Sequence, residues 1–253
     1  MFPAPFLQIT HEELNGLMSV MHGMDWNRDL TLLLHTPGGM TNATETIGDY
    51  LLSKFKDIEV IVPTLAMSAG TMISLAANRV VMGRQSQLGP IDPQLPVGGR
   101  TVSARAVVEQ FEKAKAEILG DLSLAHVWAP ILPSLGPALL VEAQNALDYS
   151  EKMVARWLEA RMFGGDADAL VRASAVAKHF NDATTHKSHG RRIGREEARR
   201  HGVKIEELEA DQALQDDVLT AYHLITILME QSLTAKLMAN NSGRMWVKNF
   251  ASG

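Results

Sequence analysis

The 253-residue sequence contains no cysteine. That excludes a disulfide scaffold, thiolate chemistry and any zinc site built on Cys ligands, and it fits a cytoplasmic protein. Positive charge is not in excess either: 24 Lys and Arg stand against 29 Asp and Glu, a net charge of -5. A general nucleic-acid or membrane-surface role needs a basic field, so neither partner is expected. No apolar run approaches the ~20 residues of a membrane-spanning helix. The start, Met1 to Phe6, lacks the basic-then-apolar pattern of a signal peptide. There is no G-x-x-x-x-G-K-[ST] loop and no G-x-G-x-x-G after a strand, so nucleotide and dinucleotide cofactors are not expected. No H-E-x-x-H or comparable ligand spacing occurs, and no metal is predicted.

What remains is an ordered globular composition, 46% hydrophobic and 21% charged. The length suits one substantial core, and residues 1–253 read as a single domain. Leu30–His35 is a continuous apolar run, the mark of a strand buried on both faces. Thr36-Pro37-Gly38-Gly39 breaks it, and Thr41–Lys56 has helical spacing. The cycle repeats with a strand at Glu59–Leu65, a small-residue turn at Ala66–Gly70, a helix at Thr71–Ala77 and a short strand at Arg79–Met82. Tight strand–turn–helix units imply parallel strands with right-handed crossovers, hence an α/β core. Leu88–Gly99 reads as a long rigid loop rich in Pro and Gly. The remainder reads as helical, with segments at Arg105–Leu119, Ala138–Phe163 and Asp166–Phe180. A polar, exposed loop follows at Asp182–Gly194, then a short helix at Arg195–His201 and a long one from Asp211 to Ala239. Helical arms are thus expected at about 104–180 and 211–240, where they could serve self-association.

Two segments carry chemistry. Ser68, in Ala66-Met67-Ser68-Ala69-Gly70-Thr71, sits where a buried strand meets a helix. Its hydroxyl should face outward, with the following N–H groups opening a helix that favours negative charge. An acyl-transfer nucleophile needs that environment, because charge develops on the carbonyl oxygen. Gly38 and Gly39 end the preceding strand. In a parallel sheet that end borders Ser68, and paired glycines can turn successive N–H groups toward one point. Alone, each segment reads as a helix entry or a cap. Together, at matching edges of adjacent strands, they point to a nucleophile and an oxyanion nest.

The motifs LLLHTPGG and PTLAMSAGTMISLAANRVVM, followed by LGPIDPQ, resemble those of the serine dehydrogenase proteinase family, part of the ClpP-like peptidases. SHGRRIGREEARRHGVKIEEL and the later helix with YHLI and NNSGR are similar to the same family. The resemblance runs roughly from Leu30 to Trp246. It implies a ClpP/crotonase-like spiral fold, hydrolysis of peptides or unfolded proteins through Ser68, and an oxyanion hole from the Gly39 and Ala69 N–H groups, with Gly38 beside them. It also implies self-assembly into trimers, hexamers or rings, with a separate ATPase or activator as partner and no cofactor.

A serine hydroxyl needs a base. In the ClpP pattern a histidine would fall within Leu88–Asp92, where this chain has Pro90 and its neighbours, and an aspartate would fall near Gly190. Signal-peptide-peptidase relatives use a lysine instead, which makes Lys113, Lys115 and Lys152 candidates; Lys115 is the one taken forward. His186 and His189 are the rival bases, since a histidine titrates near neutral pH without tuning, and His189 is taken forward. His35 reads as a packed strand-end residue, and Asp92 as a residue that orients a partner or pins its loop. The basic cluster from Lys187 to Arg200 is interleaved with Glu196 and Glu197 and has no aromatic platforms, so it reads as a solvated face. Met67, Met72 and Met82 flank the serine and are expected to line an adaptable apolar pocket. Two alternatives stand beside the peptidase: an inactive scaffold on the same fold, and a crotonase-like acyl-CoA enzyme, against which Ser68 argues.

Overall fold

The computed structural model describes residues 7–132, 136 and 138–250; the leader reading of Met1–Phe6 lies outside them. Four parallel strands form the central sheet in the order β1 (Leu30–Leu33), β2 (Ile58–Val62), β4 (Arg79–Met82) and β8 (Ile205–Glu207). Valine and isoleucine dominate the two central strands, β2 and β4, because β-branched side chains pack well on a pleated surface covered on both faces. Val60, Val62, Val80 and Met82 face the main core. Ile61 and Val81 face a smaller cluster with Leu208 and Val218. Between β1 and β2 runs α2 (Thr41–Lys54), and between β2 and β4 runs α3 (Ala69–Leu75). The first hundred residues therefore make the α/β core expected from the strand–turn–helix cycle.

Around this core α1 (Glu12–Met21) precedes the sheet. The arms are α4 (Ala104–Gly120), α5 (Ala125–Trp128), α6 (Leu139–Ala160), α7 (Ala169–Phe180), α8 (Ala183–His186), α9 (Arg195–Arg200) and α10 (Gln212–Glu230). Helix α6 bridges two regions. Its C-terminal half enters the main core through Met153, Val154, Trp157 and Leu158. Its N-terminal half builds a second small core, in which Leu139, Ala143 and Leu147 meet Ala104 and Val107 of α4.

Several elements differ from the sequence reading, three of them near the site or in the arms. The Pro/Gly segment is not wholly loop. A second pair of short parallel strands, β3 (Leu65–Ala66) and β5 (Gln87–Leu88), flanks its start, and an antiparallel hairpin, β6 (Gln94–Val97) with β7 (Arg100–Ser103), follows. Gly98 and Gly99, at φ +57° and +76°, supply the left-handed backbone that such a two-residue turn demands. Next, the long final helix stops at Glu230, and β9 (Thr234–Ala239) pairs with β10 (Met245–Asn249) across Asn240–Gly243. Finally, Asp182–Gly194 is not an exposed loop throughout, because His186 and Ile193 are buried within it.

Candidate active site

Ser68 stands at the N-cap of α3 with φ +51° and ψ -111°. A non-glycine residue at positive φ is strained by about 1–3 kcal/mol and persists only where its surroundings fix it. The surroundings are visible. Thr71, fully buried, donates from Oγ1 to the Ala66 carbonyl at 2.7 Å and accepts from the Gly89 N–H at 2.9 Å. One hydroxyl thus ties the serine turn to the loop after β5. The Gly70 N–H closes the turn on the Met67 carbonyl at 2.8 Å. Ser68 itself is half-exposed, and among the described residues its hydroxyl makes no capping bond and has no other hydrogen-bond partner.

Gly38 lies against this turn at φ +108°. A Cβ placed there would stand 2.8 Å from Ser68 Cβ and 2.8 Å from the Met67 carbonyl oxygen. Gly39 is closed off from the other side, where a Cβ would fall 2.2 Å from the Ile9 carbonyl oxygen. Only glycine fits either place. Ile9 holds the loop by donating to the Gly38 carbonyl at 2.8 Å and accepting from the Met40 N–H at 2.9 Å. The Gly38 N–H is already given to Thr36 Oγ1 at 3.2 Å. It is not a free donor, which corrects its inclusion among the oxyanion groups. No backbone carbonyl among the described residues takes the N–H of Gly39 or Ala69.

His189 and Asp92 meet. His189 Nδ1 lies 2.8 Å from Asp92 Oδ1, and Asp92 is 1% exposed. Gln94 Nε2 donates to the other carboxylate oxygen at 2.7 Å. With Oδ1 accepting, Nδ1 carries a proton, so the neutral form of the ring has its lone pair on Nε2. The pairing follows from the chain path. Leu88 bridges Ile193 in antiparallel sense, so continuing four residues in each direction brings Asp92 beside His189. Leu88 also pairs with Ala66, and Ala66 with Thr36, both in parallel sense. Two residues further along, that path brings Gly38 against Ser68. The carboxylate thus occupies the loop where the ClpP pattern expects an imidazole, and the imidazole stands beside the place where it expects the carboxylate.

The other candidates are elsewhere. Lys115 is exposed on α4, as is Lys113, which pairs at 3.8 Å with Glu117; Lys152, on α6, pairs with Asp148 at 3.1 Å. None is desolvated, the condition a lysine base needs. His186 is 3% exposed, with Nε2 on the His179 carbonyl at 2.7 Å and Nδ1 against Arg191 at 3.0 Å. Both its nitrogens are engaged. His35 bonds Thr64 Oγ1 at 2.7 Å and leans on Tyr222 of α10 but remains exposed, so it is not packed as a strand-end residue would be; partial desolvation lowers its pKa. Met72 and Met82 lie in the core rather than at the site, and only Met67 reaches the surface beside Ser68. The basic cluster is largely paired: Arg191 with Glu197, Arg195 with Glu196, Glu207 and Glu209, and Arg199 with Glu196 and Glu207. Sequence reasoning missed Thr71, whose only signal was a polar residue in a run of buried small ones.

Two uncharacterized proteins of Methanocaldococcus jannaschii are similar to this chain. One is 31% identical over 137 residues, covering 54% of this chain and 44% of that protein. The other is 32% identical over 117 residues, covering 46% and 40%. The chain thus spans less than half the length of these curated relatives. Among solved structures, two variants of the 1510-N membrane-bound stomatin-specific protease, one in complex with a substrate peptide, align with it. They show TM-scores of 0.46 and 0.47 at 17% and 18% identity. Each alignment covers 96% of this chain, and 89% and 84% of the respective neighbour. No helix among the described residues is long and apolar enough to cross a membrane. Residues 6–129, which hold Ser68, the paired glycines and Asp92, match the family model of the ClpP-like SDH-type serine proteinases.

Proposed function

We propose that this protein is a serine peptidase that cleaves peptides or unfolded proteins with Ser68 as nucleophile and His189 as base, oriented by Asp92. Ser68 Oγ attacks the carbonyl carbon as its proton passes to His189 Nε2. The N–H groups of Gly39 and Ala69 receive the oxyanion. Collapse expels the amine, which takes the proton from His189, and water then cleaves the ester by the same route in reverse. The observation that carries the reading is the strained Ser68 on its strand-to-helix turn, since strain of this kind is kept where a function repays it. The buried Asp92 supports the role of His189, as its contact leaves Nε2 as the basic nitrogen.

The protein works as a homo-oligomer in the cytoplasm on this reading, with any ATP-driven unfolding left to a separate partner. One observation favours a second reading, an inactive scaffold: among the described residues no base is hydrogen-bonded to the Ser68 hydroxyl. Fluorophosphonate labelling decides between the two. The wild type is expected to label at Ser68, located by mass spectrometry, while Ser68→Ala does not label. His189→Gln should slow labelling by a factor on the order of a hundred, and Lys115→Ala should leave it unchanged. Absence of labelling in folded, assembled wild type would favour the scaffold.

A further inference from the structure

The loop that carries His189 is tied at both ends. The Arg191 N–H donates to the Ser188 carbonyl at 3.1 Å, closing a tight turn with His189 and Gly190 at its centre. Just before it, Lys187 is held at φ +63°. His186 and Arg191 then meet across the base of the loop at 3.0 Å. A guanidinium only donates, so His186 Nδ1 accepts, and its Nε2–H is the donor to the His179 carbonyl. Arg191 also grips Glu197 of α9 with both terminal nitrogens, at 2.7 and 3.1 Å. Behind Glu197 stands His179, its Nε2 buried without a hydrogen bond and 3.8 Å from Glu197 Oε1. The His179 ring is stacked on His201 at 3.4 Å and 6°.

This is far more fixation than a surface loop of Lys, Ser, His, Gly and Arg requires. Ordering each residue costs about 1–2 kcal/mol of conformational entropy, and partly buried ion pairs such as Arg191–Glu197 contribute little net stability. The product of the arrangement is a single fixed side chain, because His189 is the residue that leaves the turn to reach buried Asp92. We infer that Arg191, Glu197 and His186 form a clamp that positions His189 on Asp92, acting as positioning residues and not touching the substrate. The effect on rate rests on the peptidase reading; the effect on the His189–Asp92 contact does not.

The test is Glu197→Gln, which keeps the volume but removes the charge and half of the bidentate acceptor. The Nδ1 proton shared by His189 and Asp92 should give a downfield NMR resonance that is absent in Asp92→Asn. In Glu197→Gln this resonance is expected to broaden or vanish. Phosphonylation of Ser68 by the fluorophosphonate should slow about ten- to a hundredfold, with the loss in the maximal labelling rate rather than in the affinity for the probe. A wild-type resonance and rate in folded Glu197→Gln would overturn the inference, even if its melting temperature fell, since that pattern marks a merely structural pair. Arg191→Lys keeps the charge and gives up the fork. It should lie between wild type and Glu197→Gln, and wild-type behaviour there would count against the clamp equally. Should the wild type show the resonance and never label, the peptidase reading fails while the resonance in the variants still judges the clamp.

Discussion

At the scale of single residues, the site is built from positions that tolerate no other side chain. Gly39→Ala would drive a methyl into the Ile9 backbone, which cannot swing aside as a flexible side chain could. A loss of about 2–4 kcal/mol is expected, read as a drop in the denaturation midpoint together with loss of Ser68 labelling. Thr71→Val keeps the shape and removes both bonds of the bridging hydroxyl, leaving the Gly89 N–H buried and unpaired. That should cost about 1–3 kcal/mol, measurable by urea unfolding. His179 sets an acid limit. Its pKa is lowered to about 4, first by burial and then by the neighbouring His201 and His186. A histidine depressed in the folded state binds fewer protons there than in the unfolded chain. Its contribution is therefore complete above about pH 6.5 and is lost as pH falls toward 4, by about 2–3 kcal/mol. Thermal melts between pH 7 and 4 should show the decline, and His179→Phe should flatten it.

At the scale of elements, what the sequence made legible depended on how local the cause was. β1, α2, β2, α3 and β4 were readable because each is a periodic apolar segment bounded by its own Gly or Pro. β8 was not. Ile205–Glu207 is short and acidic at two of its three residues, and it becomes a strand only because β4 offers a parallel edge to pair with. The final helix was read past Glu230 because Thr234–Met238 is apolar enough for either state. The turn residues Asn240–Gly243, which decide for a hairpin, lie beyond it. The hairpin β6–β7 was announced by Gly98-Gly99 and hidden by the surrounding prolines. At the site, Ser68 and the glycines were legible from local turn chemistry. The Asp92–His189 pair, 97 residues apart in sequence, was not, since it depends on the Leu88–Ile193 bridge. Close approach of elements leaves a mark of its own. Gly48 of α2 lies under Trp157 of α6, where a Cβ would fall 2.6 Å from the indole ring. Gly48→Val should force these helices apart and lower the melting temperature by several degrees.

At the scale of the whole molecule, the accessible surface is 13,620 Å², against about 11,000 Å² for a compact monomer of this mass. Part of the surplus is apolar. Leu224, Ile227 and Leu228 on α10 are 62%, 47% and 45% exposed, and residues 218–229 carry no charged side chain apart from the titratable His223. In the homo-oligomer proposed above, a face of that kind is what the subunits would cover. Light scattering should find an assembly for the wild type, and Leu224→Glu with Ile227→Glu should shift it toward monomer while the circular dichroism spectrum stays unchanged.

The N-terminal segment that braces Gly38 and Gly39 through Ile9 is itself held by the other end of the chain. Lys236 of β9 donates to the Gln8 carbonyl and pairs with buried Glu13, both at 2.6 Å. Gly16 of α1 lies against Met238 and Trp246. The serine turn is assembled from neighbours in the first hundred residues, whereas the glycine loop beside Ser68 takes its brace from a hairpin far along the sequence. Damage to that hairpin would therefore reach the loop beside Ser68 through Ile9.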